Sequence, residues 1–133
     1  MAHRLYTVAE ANRVLPDVRR LVERIADLVP EIPEMQETVR INELKFRRPA
    51  AGDEVRERLA SSVARLRAAE MAYTVAMRSL ESMDVVVKDQ LRGLVDFYSE
   101  RGGEVVHLCW LLGEDSVSHW HRLEDGYRGR QPV

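Results

Sequence analysis

Cysteine is nearly missing from these 133 residues: there is one, Cys109. That excludes an internal disulfide framework, and nothing in the chain suggests secretion, so a cytoplasmic location is expected. Net charge is nearly missing too. Twenty Lys plus Arg against 22 Asp plus Glu leave −2, which removes the broad basic surface that duplex DNA binding usually needs and makes a nucleic-acid partner unlikely. No run approaches the roughly 18 apolar residues of a membrane span. The polar start MAHRLYTVAEANR lacks the apolar centre of a signal peptide. A glycine-rich phosphate loop, a nucleophile elbow and a paired-cysteine motif are all absent. What is there is 45% hydrophobic and 32% charged, enough apolar material for one core and one domain spanning residues 1–133.

Residues 7–83 read as a helical hairpin. Thr7 and Glu10 have the spacing of a capping box. Val8, Ala11, Leu15, Val18, Val22, Ile25 and Val29 then step alternately by three and four, an apolar stripe along a helix of about 22 residues. Pro16 should kink this helix, and Pro30 and Pro33 should end it. An extra short helix is expected over 33–46, with Met35, Val39 and Leu44 as its apolar positions. The stretch RRPAAG over 47–52 breaks it, and Asp53 can cap the last helix over 53–82. There Val55, Leu59, Ser62, Leu66, Ala69, Tyr73, Ala76, Leu80 and Met83 keep the three-four alternation throughout. The simpler reading packs the first helix antiparallel on the last within one chain. The sharper one is an intermolecular coiled coil making a homodimer, and both can hold.

From Asp84 the pattern turns to strands, so the fold class expected is α+β. Val85–Val87, Leu94–Phe97 and Val105–Leu112 should form a three-stranded antiparallel meander, with a turn at 90–93 and a hairpin loop at 99–103. A short helix capped by Asp115 is expected over 115–124, ending near Gly126. These elements and an irregular tail make up residues 84–133.

The third strand and the segment after it, through Asp125, concentrate metal-ligating residue types. His107 and Cys109 alternate and share a face, while Val106, Leu108, Trp110 and Leu112 face the helices. With His119 and His121 they could build a tetrahedral zinc site, provided 119–121 is extended. In a helix those two histidines stand about 200° apart. A helix would instead align Glu114, His121 and Asp125, a set suited to a divalent metal or to acid–base work. Plainer alternatives are a surface or interface His121, a Glu114 that favours the helix start, and a buried inert Cys109. Asp89 and Asp96 flank the first hairpin and could add ligands at one sheet edge, or could simply form turns. Arg128 and Arg130 could clamp a phosphate or carboxylate.

TVAEANRVLPDVRRLVERI, VVVKDQLRGLVDF, LCWLLGEDSVSHWH and DGYRGRQP, in that order, resemble the bacterial family called domain of unknown function 2203 over nearly the whole chain. The resemblance implies a small soluble protein with a helical hairpin and a short β region, and no activity. Matching positions include Glu10, Asn12, Pro16, Lys88, Asp89, Gly93, Asp96, Phe97, Cys109, Trp110, Gly113, Glu114, Trp120, His121, Gly126, Gly129 and Arg130. In the family pattern an aromatic residue often stands at the position of His107, the position of His119 varies, and a proline is expected where this chain has Tyr98. The resemblance therefore moves weight from the four-ligand zinc set to Cys109, Glu114, His121, Asp89 and Asp96. The function expected is divalent-metal binding, zinc or iron, with a small metal-dependent catalytic role as its extension. The alternative is a non-catalytic homodimeric interaction module built on the hairpin.

Overall fold

The computed structural model describes residues 3–133. The Thr7–Glu10 capping box is formed in both directions at 3.1 Å and launches α1, Val8–Phe46. Its 39 residues span about 58 Å. Pro30 and Pro33 do not end it, and the extra short helix expected over 33–46 is its outer half. The reason lies in the far side of the helix. Pro16, Pro30 and Pro33 are exposed, while Ile32 and Met35 are half-buried and Val39 is buried, continuing the stripe onto the second helix. That packing holds turns from which each proline removes only one hydrogen bond.

The second helix, α2, runs Asp53–Ser82. Gly52, not Asp53, is its N-cap, without a side-chain bond, and Asp53 stands in the first turn, where its charge suits the positive helix end. The helices pair within the chain, tied in their outer halves by Asn42 Nδ2 donating to Ser62 Oγ at 3.1 Å. No helix among the described residues is long and apolar enough to cross a membrane.

Asp84, with a left-handed φ of 57°, turns the chain from α2 into a five-stranded antiparallel sheet. The strands are β1 Val85–Asp89, β2 Leu94–Arg101, β3 Glu104–Leu111, β4 His119–Arg122 and β5 Gln131–Pro132, in spatial order β1-β2-β3-β4-β5. The expected meander is β1 to β3. Its second turn is tighter than expected, because β2 runs on through Ser99 to Arg101. Gly102 and Gly103, at φ 59° and 80°, supply the left-handed pair that a two-residue hairpin turn requires. The helix expected over 115–124 does not form there. His119–Arg122 is β4, and the C-terminal helical element is the single 3-10 turn Tyr127–Gly129. An open β3 edge offers a row of backbone hydrogen bonds, and the alternating HWHR segment takes them in preference to a helix cap at Asp115.

The inner sheet face packs Val85, Val95, Phe97, Leu108 and Trp110 on Leu15, Val18, Val22 and Ile25 of α1 and Ala76 and Leu80 of α2. Gly93 makes the close approach possible. At φ 73°, a Cβ there would lie 2.6 Å from Leu112 Cβ and 2.9 Å from Val22 Cγ1. The core serves only the inner half of the hairpin, since between Pro30 and Leu66 Val39 is the one buried residue.

Candidate metal centre

Strand periodicity turns Asp96 and Tyr98 of β2, His107 and Cys109 of β3, and His119 and His121 of β4 to the sheet face opposite the helices. The register arranges them in two rows across the strands, Tyr98–His107–His121 and Asp96–Cys109–His119. A sheet with helices on one side usually leaves its other face wet. Here four of the six residues are buried, Asp96 at 1% exposure, His107 at 5%, Cys109 at 0% and His121 at 2%. On one side the His3 ring stacks on Tyr98 at 4.0 Å, and Tyr98 meets His107 edge-on at 4.8 Å. On the other side Arg130 is held by Glu114.

Asp96, His107 and His121 converge. His121 Nε2 lies 3.1 and 3.2 Å from the two Asp96 carboxylate oxygens, and His107 Nδ1 lies 3.4 Å from Oδ2. One candidate ligand atom from each of the three falls within 4.8 Å of the others. His121 Nδ1 is 2.8 Å from the carbonyl oxygen of Arg122. A carbonyl only accepts, so Nδ1 carries the proton and donates it there. In the neutral ring this leaves the Nε2 lone pair aimed at a carboxylate. Such an arrangement is attractive only with a second ring proton or a cation between them, and a metal-binding histidine orients itself through just such an Nδ1–H bond to a carbonyl.

His107 is stranger. Both its ring nitrogens are buried without a hydrogen-bond partner, alone in this among the described side chains. Burial is the main influence on its basicity and holds it below the ordinary histidine value, although the Asp96 charge pulls the other way. A neutral imidazole with a free lone pair beside a carboxylate and a second imidazole could hold a divalent ion.

A family model described as Uncharacterized conserved protein (DUF2203) matches residues 4–133. The chain belongs to this family. No curated protein and no solved structure matches it.

Of the residues singled out in this DUF2203 sequence, the fold brings Asp96 and His121 together and sets Cys109 beside Asp96 as its cross-strand partner. Burial pushes the Cys109 thiol up to about 12, with Asp96 adding and Arg130 opposing. Glu114 is not aligned with His121 and Asp125 on a helix, because that helix is absent. Its carboxylate accepts from Leu111 N at 2.8 Å and from both Arg130 Nη atoms, at 3.0 and 2.6 Å. Burial opposes its ionisation, but Arg130 and the Leu111 amide together hold its carboxyl below the usual carboxylate value. Asp89 stands apart at the end of β1, where Oδ1 accepts from Arg92 N at 2.9 Å and shapes the turn. Arg130 is engaged by Glu114 and lies 4.2 Å over the Tyr127 ring, while Arg128 is exposed. The Glu114 bond raises Arg130 further above its ordinary value. His119, half-buried, has Nδ1 3.1 Å from Ser118 Oγ.

His107 enters the sequence reading only in the four-ligand zinc set and drops out when the resemblance moves weight to Cys109, Glu114, His121, Asp89 and Asp96. Its signal is the strand alternation itself, which already puts His107 on the face of Cys109. What obscures it is the helix expected at 115–124, which hides the extended His119–His121 pairing that puts His121 beside it.

Proposed function

We propose that this protein binds one divalent metal ion through Asp96, His107 and His121. The observation that carries the reading is His107: a buried imidazole with both nitrogens unpartnered, next to an Asp96–His121 contact whose histidine proton is already committed to a backbone carbonyl. Without a cation this arrangement carries an unsatisfied buried group costing about 1–3 kcal/mol. Two imidazoles and a carboxylate favour zinc or iron over magnesium or calcium, which prefer all-oxygen shells.

Three protein ligands are also the number found where a metal keeps a position for water or substrate. A bound ion would supply polarisation of a substrate oxygen or activation of water, and a small metal-dependent catalytic role is the extension of this reading. A single free thiol accords with a cytoplasmic setting. Elemental analysis of untagged protein tests the proposal. Near-stoichiometric zinc or iron is expected, and it should be lost in His107→Ala and His121→Ala. Protein that purifies without metal and refuses added zinc and iron would overturn it.

A second reading, compatible with the first, is self-association through the outer hairpin. Ile41, Leu44 and Phe46 near the end of α1, and Met71 and Val75 on α2, are exposed at 40–65%. A groove of ≈ 410 Å³ on α2 is lined by Leu59, Ala60, Val63 and Ala64 between Arg56 and Arg67. Along α1 the exposed acids Asp27, Glu31, Glu34 and Glu37 precede Arg40 and Lys45, with Glu43 between these two, and Arg47 and Arg48 follow the helix end. A second copy laid antiparallel would set each run against its opposite. Light scattering should give a dimer that Val63→Glu dissociates, and a wild-type monomer at micromolar concentration would remove this reading.

A further inference from the structure

Asp96 and His121 lie on strands either side of β3, so side chains that meet at 3.1 Å must cross the outward face of β3. The positions they cross are His107, paired with His121, and Cys109, paired with Asp96. His107 reaches up to the carboxylate with Nδ1. Cys109 is the short side chain of the pair, fully buried and directly across from Asp96 in the strand register. Its sulfur lies outside the 4.8 Å cluster formed by the Asp96, His107 and His121 ligand atoms, so ligation requires it to move toward them. The centre thus has a sulfur beside the carboxylate at the same level of the sheet.

We propose that Cys109 is the fourth ligand of the metal centre, completing a tetrahedral Asp96, His107, Cys109 and His121 set, with the Glu114–Arg130 pair positioning its sulfur. The proposal rests on the metal-binding reading above, specifies the metal, and by filling the fourth position replaces the catalytic extension of that reading with a closed structural site. One thiolate among two imidazoles and a carboxylate selects zinc over the harder divalent ions. On binding, the S–H bond breaks, the sulfur–metal bond forms, and the proton leaves to solvent, so loading should release protons. Arg130 is oriented for its part by the two-armed bond to Glu114. A guanidinium N–H donated to the sulfur offsets the charge that the thiolate brings into a buried site, and it leaves the sulfur lone pairs that face the metal free.

Cobalt(II) titrated into the full chain is the test. The expected result is a tetrahedral visible spectrum together with near-ultraviolet thiolate-to-cobalt charge-transfer absorption. Cys109→Ser should abolish the charge-transfer absorption while cobalt still binds. Cys109→Ala, checked for an unchanged circular dichroism spectrum, serves if the serine variant does not fold. Glu114→Gln should keep the absorption but weaken zinc binding about 10–100-fold, the effect typical of a residue acting on a ligand from behind. Cobalt bound with visible bands but no charge-transfer absorption would overturn the fourth ligand and leave the three-residue site standing. No cobalt bound at all would overturn the metal reading itself. Unchanged affinity in Glu114→Gln would remove the positioning role of the Glu114–Arg130 pair alone.

Discussion

On β3, Val106, Leu108 and Trp110 alternate with His107 and Cys109, and exposure barely distinguishes the two sets: 1%, 3% and 0% against 5% and 0%. Leu108 and Trp110 of the inner set are buried by hydrocarbon, in the core shared with α1 and α2. The outer set is buried under a thin cover of His3, Tyr98 and the Glu114–Arg130 pair, among groups that could hydrogen-bond but in His107 do not. Equal burial therefore has two causes. Apolar transfer accounts for the inner face without help, whereas the outer face is costly to bury until something satisfies it. On the metal-binding reading proposed above, this difference is what marks the outer face as the functional side of the sheet, and it can be broken by substitution.

The largest effect should come from the inner face. Trp110 is fully buried and its Nε1 also donates to the Glu114 carbonyl at 3.0 Å. Trp110→Ala should cost about 3–5 kcal/mol in urea unfolding. A loss under about 1 kcal/mol, well short of a cavity cost, would mean that the inner face is not the main source of stability. Next comes metal withdrawal. Ligand bound only to the folded state, at a free concentration about a hundred times its Kd, contributes about 2.7 kcal/mol. A strong chelator should lower the melting temperature of the wild type and leave that of His121→Ala unmoved. Equal responses would detach the outer face from any metal.

A smaller effect, of opposite sign, sharpens the contrast further. In metal-free protein, replacing His107 by a ring of similar shape removes an unsatisfied polar group and should stabilise by about 1 kcal/mol. His107→Phe is therefore expected to be more stable than wild type without metal and less stable with it. Destabilisation under both conditions would show that His107 has a partner in the metal-free state.

How much of each face is legible in the sequence depends on whether its pattern is local. The Thr7–Glu10 box, the stripe from Ala11 to Ile25 and the alternation through Val106, Leu108 and Trp110 are local patterns, and each forms as it reads. Pro30 and Pro33 mislead because a proline's cost is local while the packing that outweighs it, of Ile32, Met35 and Val39 along α2, comes from residues far along the chain. His119–Arg122 misleads for the same reason, since its helix cap is local and the β3 edge that captures it is not. The candidate site inherits both lessons. Asp96 and His121 can be named by residue type, but they lie 25 residues apart in sequence and meet only because β2 and β4 both pair with β3. Asp89 has the same chemistry as Asp96, but its partner across the ladder is Leu94 beside the first turn, so it shapes that turn instead.

The smallest effect lies at the edge of the outer face, in the Glu114–Arg130 pair. The Glu114 carboxyl is held below its usual value, because Arg130 and the Leu111 amide outweigh the burial that opposes its charge. A carboxylate depressed in the folded state adds stability at every pH above its unfolded value, and that stability is lost as pH falls through the folded one. With the Glu114 side chain 23% exposed, the pair should contribute only about 1 kcal/mol. Glu114→Gln should therefore differ from wild type by a constant small amount from about pH 8 down to about pH 5, and the difference should begin to narrow below about pH 4, the ordinary glutamate value, and close only below the lower folded value. Chemical denaturation of both proteins in metal-free buffer across that range measures it. A gap that does not narrow at all as pH falls below about 4, the ordinary glutamate value, would mean that the amide side chain of this variant cannot replace the geometry of the carboxylate. Arg130 would then be held by shape rather than by charge, and the outer face would owe its cover to packing after all.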